Sequence, residues 1–151
     1  MKYLNARFFL TYLFVVVFWF VALFVVCQAN AEVIDMDKIA MIESSGNPLA
    51  HNKRDDSRGL FQITKICLKE WNMYHPDNQY TMKDLWYPTV NRLIADWYLN
   101  KRIPQMIKHY GVDDTVENRI IAFNAGISYL VNGKEIPQIT KNYIKKYRGG
   151  K

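Results

Sequence analysis

The chain has 151 residues, half of them hydrophobic, with 20 Lys and Arg against 14 Asp and Glu and a formal net charge of +6. That length suits one domain, and its basic residues do not gather on a recognition helix, which excludes a nucleic-acid module. Cys67 is the one cysteine within residues 32–151, so that part forms no internal disulfide and must rely on an apolar core, which about 120 residues can build.

The first element is "FFLTYLFVVVFWFVALFVVC", residues 8–27, uncharged and preceded by Lys2 and Arg7. Two readings fit it. A positive start, an apolar run and the triplet Ala29-Asn30-Ala31 describe a secretory signal cleaved before Glu32. A run of this length also spans a bilayer core of roughly 30 Å as a permanent anchor. Lipid attachment at Cys27 is disfavoured by the bulky Val26 before it. Positive residues ahead of the run stay inside, so the rest is exported: periplasmic, extracellular, or held on the outer side of the cytoplasmic membrane by an uncleaved helix. The chain therefore divides into 1–31, signal peptide or membrane anchor, and 32–151, the folded domain. Without Lys2 and Arg7 that domain keeps a net charge near +4. Such a balance suits an anionic polymer or surface such as a cell wall, and equally suits dispersed, solvated charge.

Asp35 caps a predicted helix ending at Ser44. "NPLAHNKRDDSRG" is a long polar connection, of a length that compact domains keep for function. "ITKICLKEW" predicts an amphipathic helix with Ile63, Ile66, Cys67 and Trp71 on one face, and "NMYHPDNQYTMKD" a loop. Pro88 opens the next helix at its first position, with Val90, Leu93, Ile94 and Trp97 at helical spacing. "PQMIKHYG" predicts a separate short helix closed by Gly111. "VENRIIAFNAG" predicts another, and "PQITKNYIKKY" the last. No alternating β-branched run appears beyond "GLFQIT". The class is mainly α with a vestigial strand.

Within the first helix, Met36, Ile39, Ala40 and Glu43 fall at i, i+3, i+4 and i+7, placing the glutamate on the apolar stripe. It also sits in the last turn, where the helix dipole disfavours negative charge. Burial and dipole both raise its pKa, which is what a general acid near neutral pH requires. The bland alternative is a carboxylate at a frayed end turned to water. The abrupt Ser-Ser-Gly-Asn-Pro break favours an acid facing an opening.

"ESSGNPLA", then "SRGLFQIT", "NRLIADWYL", "AFNAG" and "TKNYIKKY" together resemble, in order and spacing, the catalytic domain of the soluble lytic transglycosylases, within the lysozyme-like superfamily. The blocks span most of residues 33–147. The resemblance implies a lysozyme-like single domain, with Glu43 as catalytic acid and base and Ser44 as the serine of the family's Glu-Ser pair. It implies that Ser57, Gly59 and Gln62 line the sugar cleft, that Asn124 matches the Asn of the Ala-Tyr-Asn-Ala-Gly block, and that Tyr143 approaches the glutamate. Each has a plainer reading. Ser44 helps end its helix, Gly59 permits a positive φ, Asn124 caps ahead of Gly126, and Tyr143 is core beside Ile139 and Tyr147. Gln62 and Asn124 could each hydrogen-bond an acetamido group. Two positions depart from the family pattern: Phe61 stands where Met is usual, and Phe123 where Tyr is usual.

The implied substrate is the peptidoglycan glycan strand, cut between MurNAc and GlcNAc with closure of a 1,6-anhydro ring. Two alternatives stay open. Asp55 or Asp56 facing Glu43 would favour a hydrolytic, lysozyme-type muramidase; the plainer reading of "KRDDSR" is a solvated, mutually neutralising loop. A non-catalytic wall-binding assembly factor would keep the cleft without the chemistry. His51, His75 and His109 lack metal-ligand spacing, Cys67 reads as a small core residue, and no cofactor is expected. Small members of the family accompany secretion or conjugation systems, so such an apparatus is a partner the resemblance adds.

Overall fold

The structure, a computed structural model, describes residues 33–149; the apolar run at 8–27, and with it the choice between signal and anchor, lies outside them. Among the described residues no helix is long and apolar enough to cross a membrane.

Helix α1 (Met36–Ser44) starts where Asp35 accepts hydrogen bonds from the Asp37 and Lys38 backbone N–H groups, both at 3.1 Å, satisfying two of the four orphan donors of a helix start. It stops because Ser45 turns left-handed, φ 56°, and the Gly46 N–H reaches back to the Ala40 carbonyl. A two-residue hairpin follows: β1 (His51–Asn52) pairs antiparallel with β2 (Ser57–Arg58), His51 opposite Arg58. "GLFQIT" is therefore not a strand. It is a tight turn closed by reciprocal backbone bonds between Arg58 and Ile63, with left-handed backbone at Gly59 and Gln62.

Helix α2 (Lys65–Tyr74) is capped by Thr64 and runs three residues beyond the expected end. Cys67, Leu68 and Trp71 form its buried face, and Ile66 points outward at 80 % exposed. Thr64 sets the phase: with the helix starting at Lys65, Ile66 falls a quarter turn from the core stripe. A short 3-10 turn (Asp84–Trp86) leads to α3 (Pro88–Trp97), opened by Pro88 as expected.

The two helices expected on either side of Pro104 are one continuous run. Between α3 and α4 (Ile103–His109) lies a π-helical turn at Tyr98–Arg102, in which the Ile103 N–H donates to Tyr98, five residues back. A proline inside a helix lacks its donor and crowds the carbonyl four residues before it; the widened turn ahead of Pro104 relieves that conflict without ending the helix. Helices α5 (Val116–Asn124), α6 (Ser128–Val131) and α7 (Gln138–Tyr147) complete the chain.

Ile39, Phe61, Leu85, Ile94, Leu99, Ile103 and Ile107 are wholly buried and form the centre of the core. The π turn and α4 lie against α5, α5 packs on α7, and α7 packs on α1. This last contact brings the end of α1 against the middle of α7.

Candidate active site

Glu43 lies in the last turn of α1, one turn beyond the buried Met36, Ile39 and Ala40. Its carboxyl pKa is raised from 4.5 to about 7. Burial is the main cause; the nearby Asp55 charge adds to it, and the Tyr143 hydroxyl works against it. The acid is thus half-ionised near neutral pH, able both to give a proton and to take one.

Tyr143 stands across from it on α7, 6 % exposed. Its hydroxyl is close enough to Glu43 to favour the carboxylate, yet it closes no hydrogen bond of good geometry among the described residues. The hydroxyl is buried and shielded, which pushes its own pKa well up and keeps it neutral. A sealed, unsatisfied donor beside a titrating acid is uncommon in a folded interior.

The residues matched to the cleft wall hold one another. Ser44 donates to the Ala40 carbonyl at 3.1 Å and to the Leu60 carbonyl at 2.9 Å, tying the end of α1 to the turn at 59–62. Ser57 is buried and donates to Gln62 Oε1 at 3.1 Å; Gln62 Nε2 donates to the Ala50 and Gly59 carbonyls at 3.1 and 2.9 Å. The Gln62 amide, expected to meet an acetamido group, is occupied within the fold. Gly59 is required twice over. Its φ is +77°, and a Cβ there would stand 2.3 Å from Asn91 Nδ2 and 2.5 Å from the Leu85 carbonyl. The polar atoms of Ser44, Ser57 and Gln62 are engaged within the fold.

Asn124, last residue of α5, differs. It is exposed, and its Oδ1 accepts a 2.6 Å hydrogen bond from the buried Thr140 hydroxyl on α7. That bond engages the amide oxygen and leaves the two N–H donors for other partners. Phe123 beside it lies against Tyr98, ring centroids 6.3 Å apart, so the swap from Tyr keeps a packed aromatic ring.

The two hairpin aspartates separate in role. Asp56, itself left-handed at φ 55°, accepts from His51 Nε2 at 2.8 Å and from both ends of the Arg58 guanidinium at 2.9–3.0 Å. Those donors hold its carboxyl below the usual range, Arg58 foremost. Trp86 backs both partners: Arg58 lies over its ring and His51 meets it edge-on. Asp56 is the neutralised loop residue expected. Asp55 is solvent-exposed, as the plainer reading has it. Its Oδ1 accepts from the Ser57 N–H at 3.1 Å, and its charge reaches Glu43.

Asn91 escaped the sequence reading. It is wholly buried on α3, with Oδ1 accepting from the Phe61 N–H at 2.8 Å and Nδ2 donating to the Arg58 and Leu85 carbonyls at 2.8 and 3.0 Å. A polar amide at i against Ile94 and Ala95 at i+3 and i+4 is the signal that would have found it. Among the described residues no three His, Cys, Asp or Glu side chains gather as a metal site. Two hollows, of about 240 and 290 Å³, lie between α5 and α7 and along α1 beside Met41 and Ile42. Neither is lined by Glu43.

Residues 30–145 match the family described as Transglycosylase SLT domain. No curated protein and no solved structure matches the chain.

Proposed function

Since the chain belongs to the transglycosylase SLT family, a lytic transglycosylase domain of the lysozyme-like superfamily that acts on peptidoglycan, we propose that it cleaves the β-1,4 bond between MurNAc and GlcNAc with Glu43 as both acid and base. Protonated Glu43 donates to the glycosidic oxygen, which leaves as the C4 hydroxyl of GlcNAc. Positive charge develops at C1 of MurNAc and is met by its own acetamido group. The Glu43 carboxylate then takes the proton of the C6 hydroxyl of that MurNAc, O6 bonds to C1, and the 1,6-anhydro ring closes. Glu43 ends protonated, and no water is consumed.

One observation carries this reading: a carboxyl at the end of an apolar helix stripe whose pKa lies about where a single group must sit to serve in both directions. Tyr143 supports the second half, since a neutral hydroxyl beside the carboxylate stabilises the charge left after proton donation. Asn124 is the exposed amide suited to the acetamido or stem carbonyl, with Phe123 beside it.

Asp55 favours a second reading. Fixed by the Ser57 N–H and felt by Glu43, it is a candidate second carboxylate, and a carboxylate that guides water would make the enzyme a hydrolase. Wild type and Glu43→Gln, incubated with purified peptidoglycan, decide between them. Wild type clears the wall and releases anhydro-MurNAc ends; Glu43→Gln clears nothing but still binds. Reducing MurNAc ends would establish the hydrolytic reading. A wild type that binds without clearing would make the protein a wall-binding assembly factor. Work on the wall requires export, supplied by residues 8–27 as a cleaved signal or a retained anchor, and the small domain suits local opening for a secretion or conjugation apparatus.

A further inference from the structure

The end of α1 carries Glu43 and the hairpin carries Asp55, whose charge adds to the raised Glu43 pKa, and neither is tied directly to the other. Both are tied to the turn at 58–62. Ser44, next to Glu43, donates to the Leu60 carbonyl at 2.9 Å. On the other side the hairpin joins the turn through Arg58, whose neighbour Ser57 orients Asp55, and through the Gly59 and Gln62 bonds to the Ala50 carbonyl. The shape of this turn therefore sets the spacing of the two acids.

One side chain from the core controls that shape. Asn91 accepts from Phe61 N–H on one flank of Gly59-Leu60 and donates to the Arg58 carbonyl on the other, while a third bond to the Leu85 carbonyl fixes its amide plane. The contact is so close that only glycine fits at position 59. Three saturated hydrogen bonds on a wholly buried amide leave it one orientation.

We propose that Asn91 is the positioning residue of this site: from the core it holds the turn that couples the Glu43 end of α1 to the Asp55 hairpin, and so fixes how far apart the two carboxylates stand. Its effect on turnover rests on the transglycosylase reading; its effect on Glu43 does not. Asn91→Asp keeps the acceptor for Phe61 but sets a carboxylate against two carbonyls with no hydrogen to give. The turn then relaxes, Asp55 withdraws, and Glu43 gains water.

The test uses the full chain in detergent, with wild type, Asn91→Asp, Asn91→Ser, Ser44→Ala and a control, Asn72→Asp. Asn72 pins a different loop, bonding the Tyr80 backbone at 2.7 and 2.9 Å. Carbon-13 NMR follows the Glu43 carboxyl titration, and wall digestion gives kcat and KM at matched folded fraction. The Asn91 variants are expected to move the Glu43 titration toward acid and to lower kcat about 10- to 100-fold, with KM held within about twofold, as for a small misplacement of reacting groups. Ser44→Ala, which cuts the same path at a half-buried hydroxyl, is expected to move the titration the same way, and decides the matter if the Asn91 variants do not fold. Asn72→Asp should lower the melting temperature and leave both readouts alone. An unmoved Glu43 titration in the folded Asn91 variants, or in Ser44→Ala where those do not fold, overturns the proposal, as does an equal shift in Asn72→Asp. A wild type that never cleaves wall, with the titration still shifted, overturns the enzymatic reading and leaves Asn91 in its role.

Discussion

Glu43 is held in a form that the unfolded chain would not choose. Its carboxyl titrates near 4.5 when free and about 7 in the fold, so the folded state binds the proton more tightly. The Glu43 contribution to stability is fully present below pH 4.5 and is lost as pH rises through 7. The loss corresponds to about 3 kcal/mol. Glu43→Gln should therefore match wild type at pH 4 and exceed it by up to about 3 kcal/mol at pH 8, read by denaturant unfolding. An equal offset at both pH values would show that shape, not charge, is responsible. Tyr143 carries the opposite sign to most core tyrosines. Its buried hydroxyl closes no hydrogen bond among the described residues, so Tyr143→Phe should leave stability unchanged or raise it by about 1 kcal/mol. Removing a group that lowers the Glu43 pKa should also move the Glu43 limb of the pH–rate profile upward. A clear drop in melting temperature would mean that the hydroxyl is bonded after all.

Among elements, the turn at 58–62 is the least forgiving. Gly59→Ala adds a methyl against Asn91 and the Leu85 carbonyl at a left-handed position, and neither neighbour can yield without breaking a buried hydrogen bond. The expected cost is about 2 kcal/mol or more, with wall clearing reduced beyond what the unfolded fraction explains; a denaturant midpoint near that of wild type would refute it. The continuous run from α3 through the π turn to α4 illustrates the limit of local rules. Pro104 reads as a boundary because a regular α-helix cannot hold it, yet Leu99, Ile103 and Ile107 are all fully buried on one face. Burial of that face outweighs the local preference, and the chain widens by one residue to satisfy both.

At the scale of the molecule, what could be read beforehand followed from periodicity and caps. Asp35 and Pro88 mark their helices because one caps the first backbone N–H groups and the other fixes the first helical φ; Thr64, the cap of α2, falls inside the segment expected to be helical. Glu43 was legible because helical phase places it on the stripe. The bonding of Ser44, Ser57 and Gln62 was not legible: they turn their polar atoms inward to partners 3 to 16 residues away, and such pairings leave no periodic trace. Asn91 was hidden for the same reason, its partners lying up to 33 residues distant. Asp55 and Asp56 were indistinguishable by composition; their partners divide them, His51 and Arg58 holding Asp56 and the Ser57 N–H holding Asp55.

Cys67 stands 7 % exposed against the core, and burial pushes its thiol well above the ordinary range. Within the folded domain cysteine chemistry is thereby silenced: the thiolate that oxidants, alkylating agents or exchange partners attack is scarcely formed. A domain held by packing alone, with its only sulfhydryl stored in the thiol form, can mature in an oxidising envelope without the help of disulfide catalysts. The same atom becomes visible to a thiol reagent only when the core opens, which makes it a built-in clock for unfolding.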